Sequence, residues 1–339
     1  MFSGRKATLS SVPGTCDLER QKVTILLTDV EFLQAAPFDL RLALDSARIE
    51  KVPGMHHLSK INDAGSRTPE LYDKHSSGFR RATYVDNAMG SVHMGVGVCF
   101  LDPNGVIKPH IHSFEESFYI LSGSMIAQIG ERNDELSASH FGLISTGVRH
   151  SWRNTSDRPA SWLEMQAPQP RPFEHGRDTF FVAGDAPNAL APLGQQDGAK
   201  SLVGYFDPSQ LPRPGEASQM EGFNPTAGVA IKMFVDRSFG AVHQSLFLIQ
   251  YMPGAKIDPH DHTFEESYLI VSGQVRATAD GHTYDLGAGD VIWTSVGCIH
   301  SFENVSSQPV CWIETQAPLP PSREVFRFER DWAQLGGTL

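Results

Sequence analysis

The sequence predicts an all-β protein built from two tandem copies of one domain. Runs of apolar or alternating residues have the length and pattern of β-strands, and turns with glycine or serine separate them. The segment PHIHSFEESFYILSG at 109–123 returns as PHDHTFEESYLIVSG at 259–273, an offset of 150 residues. Short strands at even spacing, with 30 glycines and 22 prolines in the chain, are typical of a sandwich or barrel.

The same offset sets the domain boundaries. It relates His150 to His300 and Trp162 to Trp312, with no net insertion between the copies. A period this long is unlike that of a solenoid, so we interpret the copies as two whole domains. We expect an N-terminal extension at 1–50, a first domain at 51–170, a linker at 171–200, and a second domain with a C-terminal tail at 201–339.

Composition bounds the class of protein. The 339 residues are 40% hydrophobic and 20% charged, enough to bury two cores. Acidic residues number 39 against 28 basic ones, a net charge of −11, which disfavours binding to nucleic acid or to an anionic membrane. The N-terminus lacks the apolar segment of a secretory signal, and no apolar run reaches the ~18 residues of a membrane span.

The four cysteines indicate a reducing compartment. They show no CxxC spacing and are too few to staple a chain of this length. We therefore expect reduced thiols in a cytoplasmic protein. We interpret Cys298 as a small buried thiol rather than a nucleophile, because no local basic group would activate it. The cysteines are Cys16, Cys99, Cys298 and Cys311.

Each copy carries a set of side chains that suits a metal ion. Two histidines one residue apart lie on the same side of a strand, a glutamate follows four residues later, and a third histidine comes about forty residues on. Three imidazoles and a carboxylate form a four-ligand set for a divalent first-row metal, with open positions for substrate or water. The two sets are His110, His112, Glu116 and His150, and His260, His262, Glu266 and His300.

A glutamate doublet in each copy leaves one choice to make. Glu115 and Glu265 are one residue out of phase with Glu116 and Glu266, so only one glutamate of each pair faces the metal. We choose Glu116 and Glu266, each separated by six residues from the glycine that follows, as in the family pattern below.

The motifs resemble those of the cupin superfamily. The first cupin motif is glycine, about five residues, HxH, three or four residues, glutamate, six residues and glycine; Gly254 to Gly273 matches it fully, and the first copy is one residue short at its start. The second motif ends in glycine, two residues, histidine, three residues and asparagine. Both copies keep that ending, although Ser295 replaces a proline and Ser139-His140 replaces Gly-Asp.

The resemblance implies a bicupin with two jelly-roll barrels, each holding a metal in its mouth through the four residues named above. The metal that the resemblance implies is most often Fe(II) or Mn(II), with up to one ion in each domain. Ligand type alone does not choose between these metals. It covers about 50 residues per copy and is specific for the fold, but it says little about substrate.

Several residues outside the ligand sets each allow two interpretations. Trp162, Glu164 and Gln166 share a strand face, as do their counterparts in the second copy. If that face is the lumen, Glu164 and Glu314 are candidate acid/base groups or hold a ligating histidine; otherwise they are solvated. Phe118 and Tyr268 either line the pockets or belong to plain core. Lys108 and Asp258 stand at matching positions before the first histidines. If both side chains approach the mouths of their barrels, the two sites would prefer differently charged ligands.

For the reaction, we favour a non-haem Fe(II) dioxygenase acting on a small enolic or hydroxylated aromatic acid. Bicupin relatives include ring-cleaving dioxygenases, although the gentisate and salicylate branch lacks the glutamate. The alternative is a redox-neutral lyase, hydrolase or isomerase. Oxalate decarboxylases share the ligand pattern but carry an arginine where this chain has Lys108 and Asp258, and ureidoglycine aminohydrolases resemble the second copy with other ligands.

A third hypothesis is a non-enzymatic ligand-binding cupin, which the two intact ligand sets disfavour. Under the favoured hypothesis the partner is a small acidic molecule, not nucleic acid or a membrane. We also expect the protein to be a homo-oligomer.

Overall fold

The computed structural model describes residues 54–61, 65–171, 176–190, 202–216, 228–321 and 326–328. The extension predicted at 1–50 therefore lies outside the described residues, as does most of the tail. Short 3-10 turns occur at Glu70–Tyr72, Asn87–Met89 and Pro208–Gln210, and the other regular elements described are strands. This confirms the all-β fold of two tandem jelly-roll domains.

Strands β1 to β10 belong to the sequence of the first copy and the segment that follows it. They are β1 (His56–Lys60), β2 (Ser76–Val85), β3 (Gly95–His112), β4 (Glu115–Ser122), β5 (Ser124–Ile129), β6 (Arg132–Ser137), β7 (His140–Ile144), β8 (His150–Arg153), β9 (Ala160–Ala167) and β10 (Thr179–Phe181).

Strands β11 to β21 repeat this order in the second copy. They are β11 (Val203–Tyr205), β12 (Val229–Val235), β13 (Ser245–Tyr251), β14 (Lys256–His262), β15 (Glu265–Ser272), β16 (Gln274–Ala279), β17 (His282–Gly287), β18 (Asp290–Thr294), β19 (His300–Glu303), β20 (Val310–Ala317) and β21 (Phe326–Phe328).

Each copy forms two sheet layers around its own core. In the second copy the layers are separate sheets, ordered β1-β18-β15-β20-β13-β12 and β17-β16-β19-β14-β21. In the first copy the long strand β3 runs through both layers and joins them into one sheet, ordered β11-β7-β4-β9-β3-β8-β5-β6. The interior of the first barrel holds Phe118, Trp152 and Trp162, and that of the second holds Tyr268, Phe302 and Trp312.

The two barrels exchange their first strands. Strand β1 pairs with β18 of the second barrel, and β11 pairs with β7 of the first, both antiparallel. A further apolar core lies between the barrels and contains residues of both, among them Val98, Leu163, Leu246 and Ile313. Since burial of apolar area drives such association, the two copies form one structural unit.

Glycine closes the same turn in both copies. Gly123 and Gly273 have φ values of 74° and 77°, which L-residues with a side chain rarely adopt. A Cβ on either would lie 2.4 Å from the carbonyl oxygen of Pro159 or Pro309. These glycines end the strands that carry the glutamate doublets, so they fix where each strand turns away from the ligand cluster.

Candidate metal centres

The structure brings the first ligand set together inside the first barrel. His110 and His112 end β3, and Glu116 is near the start of β4. His150 begins β8 directly opposite His110. The ligand atoms of the three histidines lie within 4.8 Å of one another. One carboxylate oxygen of Glu116 lies 3.0 Å from Nε2 of His112 and 3.9 Å from Nε2 of His150.

The imidazoles of this cluster are oriented by their other nitrogen. Nδ1 of His110 lies 2.8 Å from the carbonyl of Lys108, and Nδ1 of His150 lies 2.9 Å from that of Val148. Nδ1 of His112 lies 3.0 Å from the hydroxyl of Thr179. A histidine that donates through Nδ1 presents the lone pair of Nε2, as metal-ligating histidines do.

The donor atoms of this cluster fit a cation. Nε2 of His112 and of His150 is buried without a hydrogen-bond partner, and buried polar atoms normally have one. Burial lowers the pKa of both histidines to about 4, so both are neutral at pH 7. The 3.0 Å approach of Glu116 to His112 lacks hydrogen-bond geometry, which indicates that both atoms point at a shared position.

The second cluster has the same ligands in the second barrel. The ligand atoms of its histidines, His260, His262 and His300, also lie within 4.8 Å of one another. One carboxylate oxygen of Glu266 lies 2.7 Å from Nε2 of His262 and 3.2 Å from Nε2 of His300. The two clusters are thus two three-histidine sites for a divalent metal.

Hydrogen bonding already satisfies part of the second cluster. The hydroxyl of Tyr268 donates to Glu266 and lies 3.0 Å from Nε2 of His300. The pKa of His262 is raised, because the effect of the Glu266 carboxylate outweighs the opposing effect of burial. The matching residue of the first barrel is Phe118, which has no hydroxyl and packs edge-on against Trp152 at 5.1 Å. The two centres therefore differ at this position, which carries a hydroxyl only in the second barrel.

The strand face of Glu164 is the lumen of the first barrel. Glu164 pairs with Phe118 across β4 and β9, and its carboxylate accepts from Arg81 at 2.5 Å and from Gln166 at 3.0 Å. Burial raises the pKa of Glu164, and Arg81 opposes that shift. The sequence patterns did not indicate Arg81; the one available signal was its difference from Ile231, its counterpart at the 150-residue offset.

Glu314 has a different environment. It is buried and accepts hydrogen bonds from Trp312 at 3.0 Å and from Gln316 at 3.3 Å. Burial, followed by the charge of Glu266, raises the pKa of Glu314 well above its usual range. The two candidate acid/base residues are therefore not equivalent.

A glycine makes room for Arg81. A Cβ on Gly97 would lie 2.7 Å from Cζ of Arg81, so only glycine lets the guanidinium pass over β3 to Glu164. The counterpart of Gly97 is Phe247, which is buried in the core of the second barrel with Ile231 packed against the same core. The arginine and the space that it needs are thus both absent from the second barrel.

A cavity of about 500 Å³ opens beside the first cluster. Its wall contacts the ligand histidines, because Phe114 stacks on His112 at 4.3 Å and the ring of Tyr72 lies 5.6 Å from that of His110. Nη2 of Arg81 is buried without a hydrogen-bond partner. The lining includes Arg67, Tyr72, Phe79, Arg81, Phe114 and Glu164.

Lys108 and Asp258 do not line this cavity. Both side chains are exposed. Their backbone carbonyls contact Nδ1 of His110 and His260, so these residues orient the ligands through the main chain.

Comparison with known proteins identifies the same family in both copies. The cupin domain family matches residues 97–165 and 247–315. A polyketide synthase protein, CurC, of Streptomyces cyaneus is 24% identical over 111 residues, 32% of this chain and 72% of that protein. Within the part of the chain that the structure describes, no helix has the length and apolar character needed to span a membrane.

Three solved bicupin structures illustrate the likeness of fold. Oxalate decarboxylase of Bacillus subtilis has a TM-score of 0.58 at 17% identity, covering 81% of this chain and 80% of that one. The oxalate decarboxylase of Lactobacillus farciminis, in a formate complex, has 0.55 at 15%, covering 83% and 93%. A salicylate 1,2-dioxygenase variant from Pseudoaminobacter salicylatoxidans has 0.54 at 15%, covering 70% and 76%. The chain belongs to the cupin superfamily and is a bicupin with two tandem cupin domains.

Proposed function

We propose that the protein is a metal-dependent enzyme that acts in its first barrel on a small acidic substrate, as a dioxygenase of an enolic or hydroxylated aromatic acid. The observation that carries the proposal is Arg81, which lines the cavity beside the first cluster and has a buried Nη2 without a hydrogen-bond partner. A buried guanidinium N–H without a partner is costly, and a substrate carboxylate would satisfy it.

The size and lining of the cavity favour a ring-sized acid. About 500 Å³ is within the range of sites for drug-sized ligands and exceeds the needs of a two-carbon diacid. Aromatic side chains, Tyr72, Phe79 and Phe114, supply apolar walls, and the lining also holds Arg67 with the acidic residues Glu70 and Asp73. An aromatic or enolic acid matches the volume and the aromatic walls, and its carboxylate would bind Arg81.

The residues of the chain have separate roles in this proposal. The three histidines and Glu116 would hold the metal, which supplies binding of dioxygen and of the substrate oxygens. Arg81 orients the substrate carboxylate. Glu164, held by Arg81, takes the proton of the substrate hydroxyl on its carboxylate, and Phe118 keeps the remaining side of the cluster free of competing hydroxyl groups.

The second barrel has a supporting role under the same proposal. The Tyr268 hydroxyl lies among the ligands, and Phe247 fills the space that Arg81 uses in the first barrel. The three histidines of the second barrel and Glu266 would hold the metal, and the Tyr268 hydroxyl, hydrogen-bonded to Glu266, would leave less room for a substrate. The contribution of the second barrel is therefore to stability.

A redox-neutral reaction is the second candidate. The full set of three histidines and a glutamate in each barrel favours it, together with the fold likeness to oxalate decarboxylases, one structure of which is described by its Mn(II) centres. The lining of the cavity separates the candidates, because oxalate needs charge but no aromatic walls.

The test measures metal content and then turnover. Protein purified without a nickel column is analysed for metals, loaded with Fe(II), and supplied with phenolic and enolic acids while oxygen uptake is recorded. Oxygen consumption with one of these acids supports the dioxygenase. Manganese or zinc occupancy without oxygen uptake on any acid, or carbon dioxide release from oxalate without net oxygen use, contradicts it.

Arg81→Gln tests where the reaction takes place. We expect its KM for the acid to rise by about 10-fold or more, since a charged hydrogen bond contributes ~1.5–3 kcal/mol. Arg80→Gln is the matched control, because the neighbouring Arg80 points to Asp102 at 3.1 Å and not into the cavity. Equal KM values in the two variants would place the substrate elsewhere.

A further inference from the structure

A third group of ligand side chains lies outside both centres. His56, Asp280 and Cys298 bring a nitrogen, an oxygen and a sulfur within 4.8 Å of one another. They come from three segments: His56 begins the exchanged strand β1, Asp280 occupies the turn between β16 and β17, and Cys298 lies in the turn between β18 and β19. The fold therefore assembles the group from residues far apart in sequence.

The repeat does not account for this group. At the offset of 150 residues, His56 corresponds to Phe206, Asp280 to Gly130 and Cys298 to Val148. The first barrel thus forms the same turns with none of the three ligands. The polar and thiol side chains are a property of the second barrel alone, and the jelly-roll fold does not require them.

The imidazole of His56 is oriented as a ligand. Its Nε2 lies 2.9 Å from the hydroxyl of Tyr284, and its Nδ1 faces a carboxylate oxygen of Asp280 at 3.4 Å. A proton on Nε2, donated to the tyrosine, leaves the lone pair of Nδ1 toward the group. The 3.4 Å distance is long for a charge-assisted hydrogen bond, which is ordinarily 2.7–2.9 Å, and leaves space for an ion between the two.

Burial gives the group one closed side and one open side. Cys298 is fully buried, whereas the side chains of His56 and Asp280 are 12% and 27% exposed. A cation would enter from the exposed side, and a water molecule there would complete a four-ligand shell.

We propose that His56, Asp280 and Cys298 form a third metal site, for a thiophilic divalent cation of the zinc class. A thiolate, an imidazole and a carboxylate with one water make a tetrahedral set that zinc accepts, while a thiolate disfavours magnesium, calcium and manganese. The ion would fasten β1, from the first copy, to two turns of the second barrel. Cys298 would lose its proton to solvent on binding. This site is independent of the proposed catalytic function.

The sulfur ligand allows a test that the two histidine-rich centres do not disturb. Full-length protein, stripped of metal with a chelator, is titrated with Co²⁺ while near-ultraviolet absorption is recorded. Thiolate bound to Co²⁺ gives a charge-transfer band there, and neither set of three histidines and a glutamate contains a sulfur. We expect the band, and binding of three equivalents of metal per chain.

Single substitutions identify the residues that produce the charge-transfer band. Cys298→Ser and His56→Gln should each lose one equivalent, with Cys298→Ser losing the band entirely, while Cys16→Ser, Cys99→Ser and Cys311→Ser keep both. If Cys298→Ser fails to fold, His56→Gln tests the site in its place. Two metal equivalents retained by His56→Gln would show that both barrels of that variant are intact. Absence of the band in the wild-type protein, or its persistence in Cys298→Ser, would overturn the proposal and leave a hydrogen-bonded group.

Discussion

The carboxylate of Glu115 in the first barrel accepts a hydrogen bond from the backbone N–H of His243 in the second, at 2.8 Å. The reciprocal contact exists: Glu265 of the second barrel accepts from the backbone N–H of Val92 at 2.8 Å. Successive residues of a strand point to opposite faces, so the first glutamate of each doublet binds the other barrel while the second faces the metal position. The doublet thus joins the barrel interface directly to the ligand cluster.

Glu115→Gln should weaken the interface between the barrels. The buried carboxylate accepts two backbone N–H bonds, from Val242 and His243, and an amide is a poorer acceptor. We expect a loss of ~1.5–3 kcal/mol in the free energy of unfolding, measured by denaturant titration of metal-free protein. The exposed Glu135 provides the control, Glu135→Gln, which should change stability by less than about 0.5 kcal/mol. Equal stabilities would remove the interface role.

The first cluster should make the metal-free protein sensitive to acid. The folded-state pKa of His112 and His150 is about 4, below the ~6.5 of an unfolded histidine, so the unfolded chain binds more protons between these values. Stability should therefore fall as pH drops from about 6.5 to about 4. Denaturation midpoints at several pH values measure this slope, and His150→Asn should flatten it. A wild-type slope unchanged by His150→Asn would contradict the assignment.

Tyr268→Phe should change the second centre without touching the first. It removes the hydroxyl that lies against Glu266 and His300 and gives the second barrel the residue type of the first. We expect one more water on a metal bound there, seen as a change in the visible spectrum of the Co²⁺ protein, and a loss of ~1–2 kcal/mol in the metal-free protein. An unchanged spectrum would show that the hydroxyl does not approach the metal.

Gly97→Ala should act through Arg81. The added Cβ would lie 2.7 Å from Cζ of Arg81 and 2.8 Å from the carbonyl of Ala82, so the guanidinium must leave Glu164. We expect acid binding to weaken about as much as in Arg81→Gln. A double-mutant cycle measures the coupling: the second substitution should add little to the first, whereas additive effects would separate the two residues.

The pattern of the sequence carried the repeat, the all-β fold and the composition of both ligand sets. These features depend on local periodicity, since a strand places alternate side chains on one face, and on a duplication that any comparison at an offset of 150 residues reveals. Alternation requires only that one glutamate of each doublet faces the metal; the choice of Glu116 over Glu115 came from the family pattern, and the structure places the two on opposite faces.

Only the tertiary structure decided how the two barrels differ. Strand exchange, the passage of Arg81 over Gly97, the Tyr268 hydroxyl among its ligands and the meeting of His56 with Cys298 each join residues that no local pattern relates. Such contacts depend on strand pairing and side-chain volume across more than ten positions of the chain, and in two cases, the pairing of β1 with β18 and the meeting of His56 with Cys298, across more than two hundred. Two copies with the same ligands therefore differ in what packs around them: Arg81 and Phe118 in the first barrel, and Phe247 and Tyr268 in the second.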